Sequence, residues 1–146
     1  MIGLVQRVTG ASVEVNSKVI GEIGPGLLVL VGFRAGDRTE RIGRFVERLL
    51  NYRVFPDAQG RMNRSLRQVD GALLLVPQFT LAADTNSGNR PSFTPAASPE
   101  DGRVLFDQLI ANASSVWTQT ARGQFGADMQ VKLTNDGPVT FWLEVD

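Results

Sequence analysis

The segment Pro77-Gln78-Phe79-Thr80 could carry chemistry through its backbone. It follows the apolar run 72–76, which is typical of a buried central strand. Because Pro77 has no N–H group for a sheet ladder, it marks where the strand leaves the sheet or bulges. Gln78, Phe79 and Thr80 would then lie beside a long polar loop, and their N–H groups could stabilise an oxyanion. The alternative is an edge strand with a packed Phe79 and an ordinary Thr80, and the pattern alone favours that alternative.

A second such segment is 135–140, with the sequence NDGPVT. The bond between Gly137 and Pro138 can be cis, because an X–Pro bond has only a small preference for trans. A cis bond would point two successive carbonyl groups in one direction at a rigid tip. Such a tip could sense the shape of a small group without any reactive side chain. The alternative is an ordinary hairpin turn, and the pattern alone favours it.

Arginines could supply contacts to phosphate. Four of them lie in the two irregular segments of the chain: Arg61, Arg64, Arg67 and Arg90. These side chains could bind phosphates or belong to solvated loops, and the pattern leaves both interpretations open. Arg7 differs because Val5 and Val8 flank it, which places it on a first strand that precedes the hairpin. An inward-facing Arg7 would need a carboxylate or backbone carbonyl groups as partners.

Two residue types that often carry catalysis are missing from the chain. The absence of Cys removes thiol nucleophiles, disulfides and thiolate metal sites. The absence of His removes Ser-His-Asp and Cys-His catalysis and the usual general base near neutral pH. The carboxylates form no tight acidic motif, so we predict neither a metal site nor a cofactor. An enzyme of this composition must use carboxylates, hydroxyls, backbone dipoles or groups brought by its substrate.

Length and charge indicate one ordinary domain spanning residues 1–146. The chain of 146 residues has a mass of 15.9 kDa, enough to bury a sizeable core. Basic and acidic residues number 15 each, so no net charge attracts polyanions or membranes. The longest apolar runs are far too short to cross a bilayer, and the first residues do not resemble a signal peptide. We therefore expect a cytoplasmic protein without membrane association.

The elements that must position these segments are mostly strands. Apolar alternation or short apolar runs predict strands in the segments 12–19 (a hairpin), 27–31, 52–55, 72–76, 129–133 and 139–145. Residues 135–138 are the predicted turn between the last two of these strands.

Two helices are predicted as well. Asp37 followed by Glu40 is similar to a capping box, and the apolar positions from 42 to 50 then form one helix face. Ser98 and Pro99 are typical of an N-cap and a first helical position, and they begin the second helix. Strands and helices together predict a mixed α/β domain.

Short segments in a fixed order extend over nearly the whole chain. They are Arg7-Val8, Gly24-Pro25-Gly26-Leu27, Tyr52-Arg53-Val54-Phe55, Met62-Asn63, Gln78-Phe79-Thr80-Leu81, Ala83-Asp84-Thr85, Arg90-Pro91-Ser92-Phe93, Phe125-Gly126-Ala127 and residues 135–140. In this order they closely resemble the D-aminoacyl-tRNA deacylases. The two signature motifs of that family correspond to residues 77–80, with proline in place of the usual serine, and to residues 135–140.

The resemblance implies a fold and an activity. The fold would be a single compact α/β domain with a mixed, barrel-like β-sheet and two main helices, assembled as a homodimer. The activity would be hydrolysis of the ester bond of D-aminoacyl-tRNA. Gln78, Phe79 and Thr80 would form the catalytic segment, which binds the 3′-terminal adenosine at the acceptor end and the ester. Pro77, where the family has serine, argues against a required hydroxyl group at this position.

The same resemblance implies a chiral filter made by Gly137 and Pro138. In the family the Gly-Pro bond is cis, and the tip enters the active site of the other subunit, where it excludes L-aminoacyl groups. Arg7 would brace the tip, and Met129 would line the pocket. Since glycine has no side chain to clash with the tip, glycyl-tRNA would be a secondary substrate.

The family mechanism suits a chain without histidine, because the ribose 2′-OH next to the ester can activate or orient the attacking water. The protein would then position the ester, and the N–H of Phe79, with that of Thr80, would stabilise the oxyanion. Thr80 as a covalent nucleophile is one alternative, although no partner base is visible for it. A non-catalytic module that binds RNA ends is another alternative, and an unrelated small-ligand binder is a third.

Overall fold

The chain starts with a long hairpin of alternating apolar residues. A computed structural model describes residues Met1–Asp146. In it β1 (Ile2–Val15) and β2 (Lys18–Ile23) pair antiparallel. Asn16 and Ser17 connect them with φ angles of 50° and 62°, the positive values that two-residue hairpin loops require. The predicted hairpin is confirmed.

The remaining elements alternate between strands and helices. The other strands are β3 (Gly26–Gly32), β4 (Phe55–Pro56), β5 (Met62–Arg64), β6 (Ala72–Pro77), β7 (Thr120–Arg122) and β8 (Gln130–Glu144). The α-helices are α1 (Ile42–Asn51), α2 (Leu66–Val69) and α3 (Pro99–Val116). Two 3₁₀ helices cover Thr39–Arg41 and Phe79–Ala82. The strand predicted at 52–55 is shorter than expected, and its last residue pairs with β5.

One mixed sheet dominates the fold. Hydrogen-bonded neighbours follow the order β2-β1-β3-β6-β7. Because β2 and β3 pair with successive parts of β1, its opposite edge is left for β8. The β3–β6 and β6–β7 pairs are parallel, while β1 is antiparallel to β2, β3 and β8. The sheet curls until β2 lies against β7: a Cβ on Gly21 would be 2.5 Å from the Arg122 carbonyl oxygen. The predicted α/β domain with a mixed, barrel-like sheet is confirmed, and the sheet is nearly closed.

The apolar core lies on both faces of this sheet. A cluster of 22 buried residues fills the space between the sheet and helices α1 and α3. A second cluster of seven buried residues lies on the inner face of the curled sheet. Alternate residues of β3 belong to the two clusters, Leu27 to the first and Leu28 to the second. The run 27–31 therefore packs on both faces, as predicted, although β3 has one antiparallel neighbour, β1, and one parallel neighbour, β6.

The helix starts follow the sequence signals only in part. Ser98 caps α3, since its hydroxyl accepts a hydrogen bond from Asp101 N at 3.1 Å. The capping box predicted at Asp37 and Glu40 is wrong, because no side chain caps the helix start after Asp37. The Asp37 carboxylate instead accepts hydrogen bonds from Arg34 N and from the Met1 ammonium group, both at 2.8 Å. These two contacts, one of them with the distant N-terminus, hold the Asp37 carboxylate away from the helix start.

A capping box does form at α2, in a segment without a clear period. The Ser65 hydroxyl accepts a hydrogen bond from Gln68 N, and Ser65 N donates to Gln68 Oε1. Ser65 is buried at this helix start. No helix of the structure is long and apolar enough to span a membrane.

We expect Gly26→Ala to destabilise the fold, because Gly26 allows β3 and β6 to approach each other. A Cβ at Gly26 would lie 1.9 Å from the Ala72 carbonyl oxygen, so the parallel pair must separate. Overpacking of this kind costs about 1–3 kcal/mol. Urea unfolding would show this as a lower midpoint with an unchanged slope. Gly24→Ala is the matched control, since its Cβ would meet no atom within 4 Å; equal midpoints for the two variants would contradict the explanation.

Candidate active site

A cavity of about 650 Å³ opens where β6 ends, and 11 of the 17 residues that line it are hydrophobic. Five parts of the chain surround it: the end of β3, the end of β6, the loop before α3, the first turn of α3, and residues 125–131. No Asp, Glu, Lys or Arg is among the lining residues. Any chemistry in this cavity must therefore come from backbone dipoles, neutral polar groups or the ligand itself.

The first wall is built by the segment that follows β6. Pro77 is the last residue of the strand, and Gln78 N still donates to Val31 O at 2.7 Å before the chain turns away. The 3₁₀ helix that follows begins at Phe79. The first N–H groups of a helix have no hydrogen-bond partner inside that helix. The N–H groups of Phe79 and Thr80 are in this position. The Gln78 side-chain amide donates to the Thr80 hydroxyl.

The rim of the cavity carries two exposed phenylalanine rings. Phe79 and Phe93 have 54% and 44% of their surface exposed, and their ring centroids are 5.1 Å apart. Both rings also line the cavity. The rings are tilted by 56° relative to each other, so each ring offers its own face, on which a planar group such as a nucleobase can stack.

The opposite wall combines Met129 with the residues around Phe125. The Met129 sulfur accepts a hydrogen bond from Gln124 N at 3.4 Å, and its half-buried side chain lines the cavity. Gly102, in the first turns of α3, allows the helix to approach Phe125, because a Cβ there would be 3.0 Å from the ring. This wall is therefore set by close packing between α3 and the segment before β8.

The Gly-Pro segment is not the predicted hairpin turn. Both halves of β8 run antiparallel to β1, with Gln6 opposite Thr140 and Val8 opposite Asn135. The chain keeps its direction, so residues 136–139 leave the ladder as an insertion opposite a single residue, Arg7. This insertion, hereafter the tip, contains a cis bond between its two central residues, 137 and 138.

Hydrogen bonds within β8 close the base of the tip. Val139 N donates to Asn135 Oδ1 at 2.6 Å, and Asn135 Nδ2 donates to Thr140 Oγ1 at 2.9 Å. Gly137 has a φ of 142°, and a Cβ there would be 2.6 Å from Val139 Cγ2. Only glycine fits this position without strain.

Arg7 connects the tip to the rest of the fold. Its Nη1 donates to Val54 O at 2.7 Å, and its Nε donates to Asp136 O at 3.0 Å. The Asp136 carboxylate lies 3.5 Å from Nε, and only 12% of the Arg7 side chain is exposed. The guanidinium thus has the carbonyl and carboxylate partners that an inward-facing arginine needs.

The predicted site residues fall into two groups. Pro77, Gln78, Phe79 and Met129 line the same cavity. The other four are not among its lining residues: Thr80, Arg7, Gly137 and Pro138. Within one chain the tip and the cavity are therefore separate features.

The arginines singled out from the irregular segments have different surroundings. Arg64 donates to Gln68 O at 2.6 Å, and Arg67 stacks on Trp117 with its guanidinium 5.6 Å from the ring centroid. The side chains of Arg61 and Arg90 form no ion pair or hydrogen bond. Two of the four are thus held by structural contacts, and two are free.

Several cavity residues have no chemical signature in the sequence. Phe33, Ala96 and Ala97 line the cavity because the loop before α3 is tied to β3, with Ala97 N donating to Phe33 O at 3.0 Å. Phe125 and Gly126 belonged to a segment that supported the family resemblance, and this was the only signal available for them. Long-range loop contacts of this kind leave no local pattern.

The carboxyl groups with shifted pKa lie outside the cavity. Hydrogen bonds from Arg34 and then Trp142 lower the pKa of Glu144, and the backbone N–H of Arg61 is the largest cause that lowers the pKa of Asp57. Neither group lines the cavity. Titration of these carboxylates therefore supplies no acid or base to this site.

Comparison with known proteins identifies the family of the chain. The family model described as D-Tyr-tRNA(Tyr) deacylase matches residues 4–144. The chain belongs to this family. Curated D-aminoacyl-tRNA deacylases from Ralstonia nicotianae and Herminiimonas arsenicoxydans are 59% and 61% identical, covering 99% of this chain and 90% and 97% of theirs.

Two solved structures are also similar to this chain. One is titled a c-Myc DNA unwinding element binding protein; it has a TM-score of 0.94 and 36% identity and covers 100% of this chain and 99% of its own. The other is titled a probable eukaryotic D-amino acid tRNA deacylase, with a TM-score of 0.88 over 99% of this chain and 98% of its own. At 16% identity the second supports the fold alone.

Membership in the family establishes the activity at a coarse level. The chain is an enzyme, a hydrolase that acts on D-aminoacyl-tRNA in translation proofreading. Aminoacyl-tRNA is its substrate. The non-catalytic alternative considered from the sequence is therefore wrong.

We expect Arg7→Lys to loosen the tip, because an ammonium group cannot span the two carbonyls that the guanidinium fork reaches. Loss of one hydrogen bond to a charged donor costs about 1.5–3 kcal/mol, so amide exchange in the tip should accelerate roughly tenfold to hundredfold. Hydrogen exchange of a peptide covering 135–141 measures this. Arg53→Lys is the control, since exposed Arg53 donates only to Asn63 O. An unchanged exchange rate in Arg7→Lys would show that the tip is rigid without this contact.

Proposed function

We propose that the cavity holds the 3′-terminal adenosine of D-aminoacyl-tRNA and that the ester lies against residues 78–80. The volume of about 650 Å³ is within the range of small-molecule pockets. The apolar walls suit a nucleobase, and the exposed Phe79 and Phe93 rings suit stacking at the rim. The observation that carries the proposal is the uncharged lining of the cavity next to the free N–H groups that open the 3₁₀ helix.

The protein's own contribution to hydrolysis is positioning and electrostatic stabilisation. The Phe79 N–H, with that of Thr80, donates to the oxyanion of the tetrahedral intermediate. One well-aimed donor of this kind lowers the barrier by roughly 2.7–4 kcal/mol. Gln78 holds the Thr80 side chain through its amide and so fixes the start of this helix.

The proton chemistry belongs to the substrate. The ribose 2′-OH next to the ester activates or orients the attacking water, which adds to the ester carbonyl. Collapse of the intermediate breaks the C–O bond to the ribose 3′-oxygen, which takes up a proton, and the D-amino acid is released. We expect no metal and no cofactor in this reaction, and we expect it to take place in the cytoplasm, where charged tRNA is used.

Chirality is checked by rejection. We propose that the enzyme is a homodimer in which the tip of one subunit enters the cavity of the other. Support comes from the separation of tip and cavity within one chain and from the bracing of the tip by Arg7. The Gly137 and Pro138 carbonyls then exclude a side chain on the L face of the α-carbon. Glycine has no side chain to exclude, so glycyl-tRNA is a secondary substrate.

The chirality proposal predicts that D-Tyr-tRNA and D-Asp-tRNA are both hydrolysed, while L-Tyr-tRNA survives under the same conditions. The physical reason is a filter that rejects one configuration and does not bind a particular side chain. Loss of the radiolabelled amino acid from acid-precipitable tRNA measures each rate. Turnover of the L-ester at a rate comparable with the D-ester would contradict a chiral filter.

The mechanism predicts that a D-aminoacyl-tRNA ending in 2′-deoxyadenosine is hydrolysed about 10²-fold more slowly or worse, the scale of lost general acid–base assistance. Single-turnover rates on the two esters measure the ratio. Equal rates on the two esters would contradict assistance by the ribose 2′-OH.

Thr80→Ala tests the alternative in which Thr80 is a covalent nucleophile. A variant that retains most of its activity excludes that role.

A further inference from the structure

Helix α1 and the turn before it carry a row of arginines outside the cavity. The row consists of Arg38, Arg41, Arg44 and Arg48. Spacings of three and four residues place Arg41, Arg44 and Arg48 on one side of the helix. The buried face of the same helix, which includes Phe45 and Leu49, packs into the core. The row therefore faces outward on a rigid element.

Most of the guanidinium groups in the row have no partner. The side chains of Arg38, Arg41 and Arg44 are exposed and form no hydrogen bond or ion pair. Arg48 donates one hydrogen bond, to Glu144 O at 3.0 Å, and stacks on Tyr52. These free donors contrast with the arginines that the fold itself uses as ion-pair partners.

The row is also a local excess of positive charge. Segment 38–48 holds four arginines and only two carboxylates, Glu40 and Glu47, while the whole chain is neutral. The remainder of the chain therefore carries two excess negative charges. Neither glutamate forms an ion pair with the row. Arginine forks that are charged and unpaired suit phosphate oxygens.

The row starts next to the cavity. Ala97 N donates to Phe33 O at 3.0 Å, and Ala35 N donates to Pro95 O at 2.9 Å. Phe33 and Ala97 both line the cavity, so the turn that leads into the row is fastened to the cavity wall. From there α1 extends for about 15 Å. An RNA whose end enters the cavity can therefore reach the row with its next phosphates.

We propose that the arginine row binds phosphates of the acceptor arm of tRNA while the 3′ end occupies the cavity. This inference rests on the proposed function for the location of the 3′ end. Phosphate contacts fix the register of the nucleic acid and carry no sequence information. The row thus helps the enzyme bind tRNAs of different sequence in one orientation.

The test compares the double variant Arg41→Gln/Arg44→Gln with a matched control, the double variant Lys18→Gln/Arg53→Gln. Lys18 and Arg53 are exposed and form no ion pair, so the control loses the same charge. Affinity for uncharged tRNA is measured by fluorescence anisotropy at several salt concentrations. The ratio of kcat/KM on D-Tyr-tRNA to kcat/KM on 3′-O-D-tyrosyl-adenosine, which has no phosphate, is measured alongside.

We expect the row variant to lose roughly tenfold in tRNA affinity, to fall by a similar factor in the kcat/KM ratio, and to reduce the salt slope by about two. The control should retain the wild-type values. Equal losses of tRNA affinity in the row variant and the control would overturn the proposal, because tRNA binding would then depend on diffuse positive charge. Unchanged tRNA affinity in the row variant would also overturn it, even if both esters are hydrolysed. Failure of the wild type to hydrolyse either ester would count against the proposed function. The anisotropy data would still show whether the arginine row binds tRNA.

Discussion

The pairing of both halves of β8 with β1 is the constraint on which the tip depends. Because Gln6 pairs with Thr140 and Val8 with Asn135, residues 136–139 have no place in the ladder and must project from it. Arg7 is the residue left opposite this insertion, so its guanidinium reaches the Asp136 carbonyl directly. The contact to Val54 O then ties the tip to the segment after α1. The register thus creates the projection and places Arg7 where it can brace it.

The cavity, unlike the tip with its arginine brace, is lined by uncharged and mostly apolar residues. Its lining has no ionisable side chain, and the pKa shifts in the protein belong to Asp57 and Glu144, outside it. Fixed N–H dipoles act more strongly where a bound substrate excludes water than they do in bulk water. A chain without histidine or cysteine can therefore support hydrolysis of an ester whose neighbouring hydroxyl is reactive. Under the proposed mechanism, the site therefore depends on backbone geometry and not on a cluster of catalytic side chains.

Arginine is used in two ways in this neutral chain. Arg7, Arg34 and Arg122 form ion pairs with carboxylates, and Arg64 bonds to a backbone carbonyl. The row on α1 is largely left free. Sequence reasoning selected arginines by their location in irregular segments, but availability depends on whether a partner lies nearby in space. Folding decides that, since Arg64 and Arg67 both meet partners close to α2 and α3.

The sequence by itself determined the local elements and the family. Apolar patterns predicted the β1–β2 hairpin, β3, β6 and the buried face of α1, because burial on one face imposes a period. The short strand β7 was not predicted. The Ser98 cap could be predicted because an N-cap depends only on residues within one turn of it. The ordered motifs carried the resemblance to the deacylases. The mistaken capping box at Asp37 shows the limit: its carboxylate is used by Arg34 N and the distant Met1 ammonium group.

Only the tertiary structure decided how the motifs meet. The local pattern NDGPVT favours a hairpin turn, yet both flanks of it pair with the same strand, and that pairing lies about 130 residues away along the chain. The cavity likewise joins the end of β6 with the loop before α3 and with residues 125–131. Neither the register nor these loop contacts leave a local signal, because each depends on groups that only folding brings together.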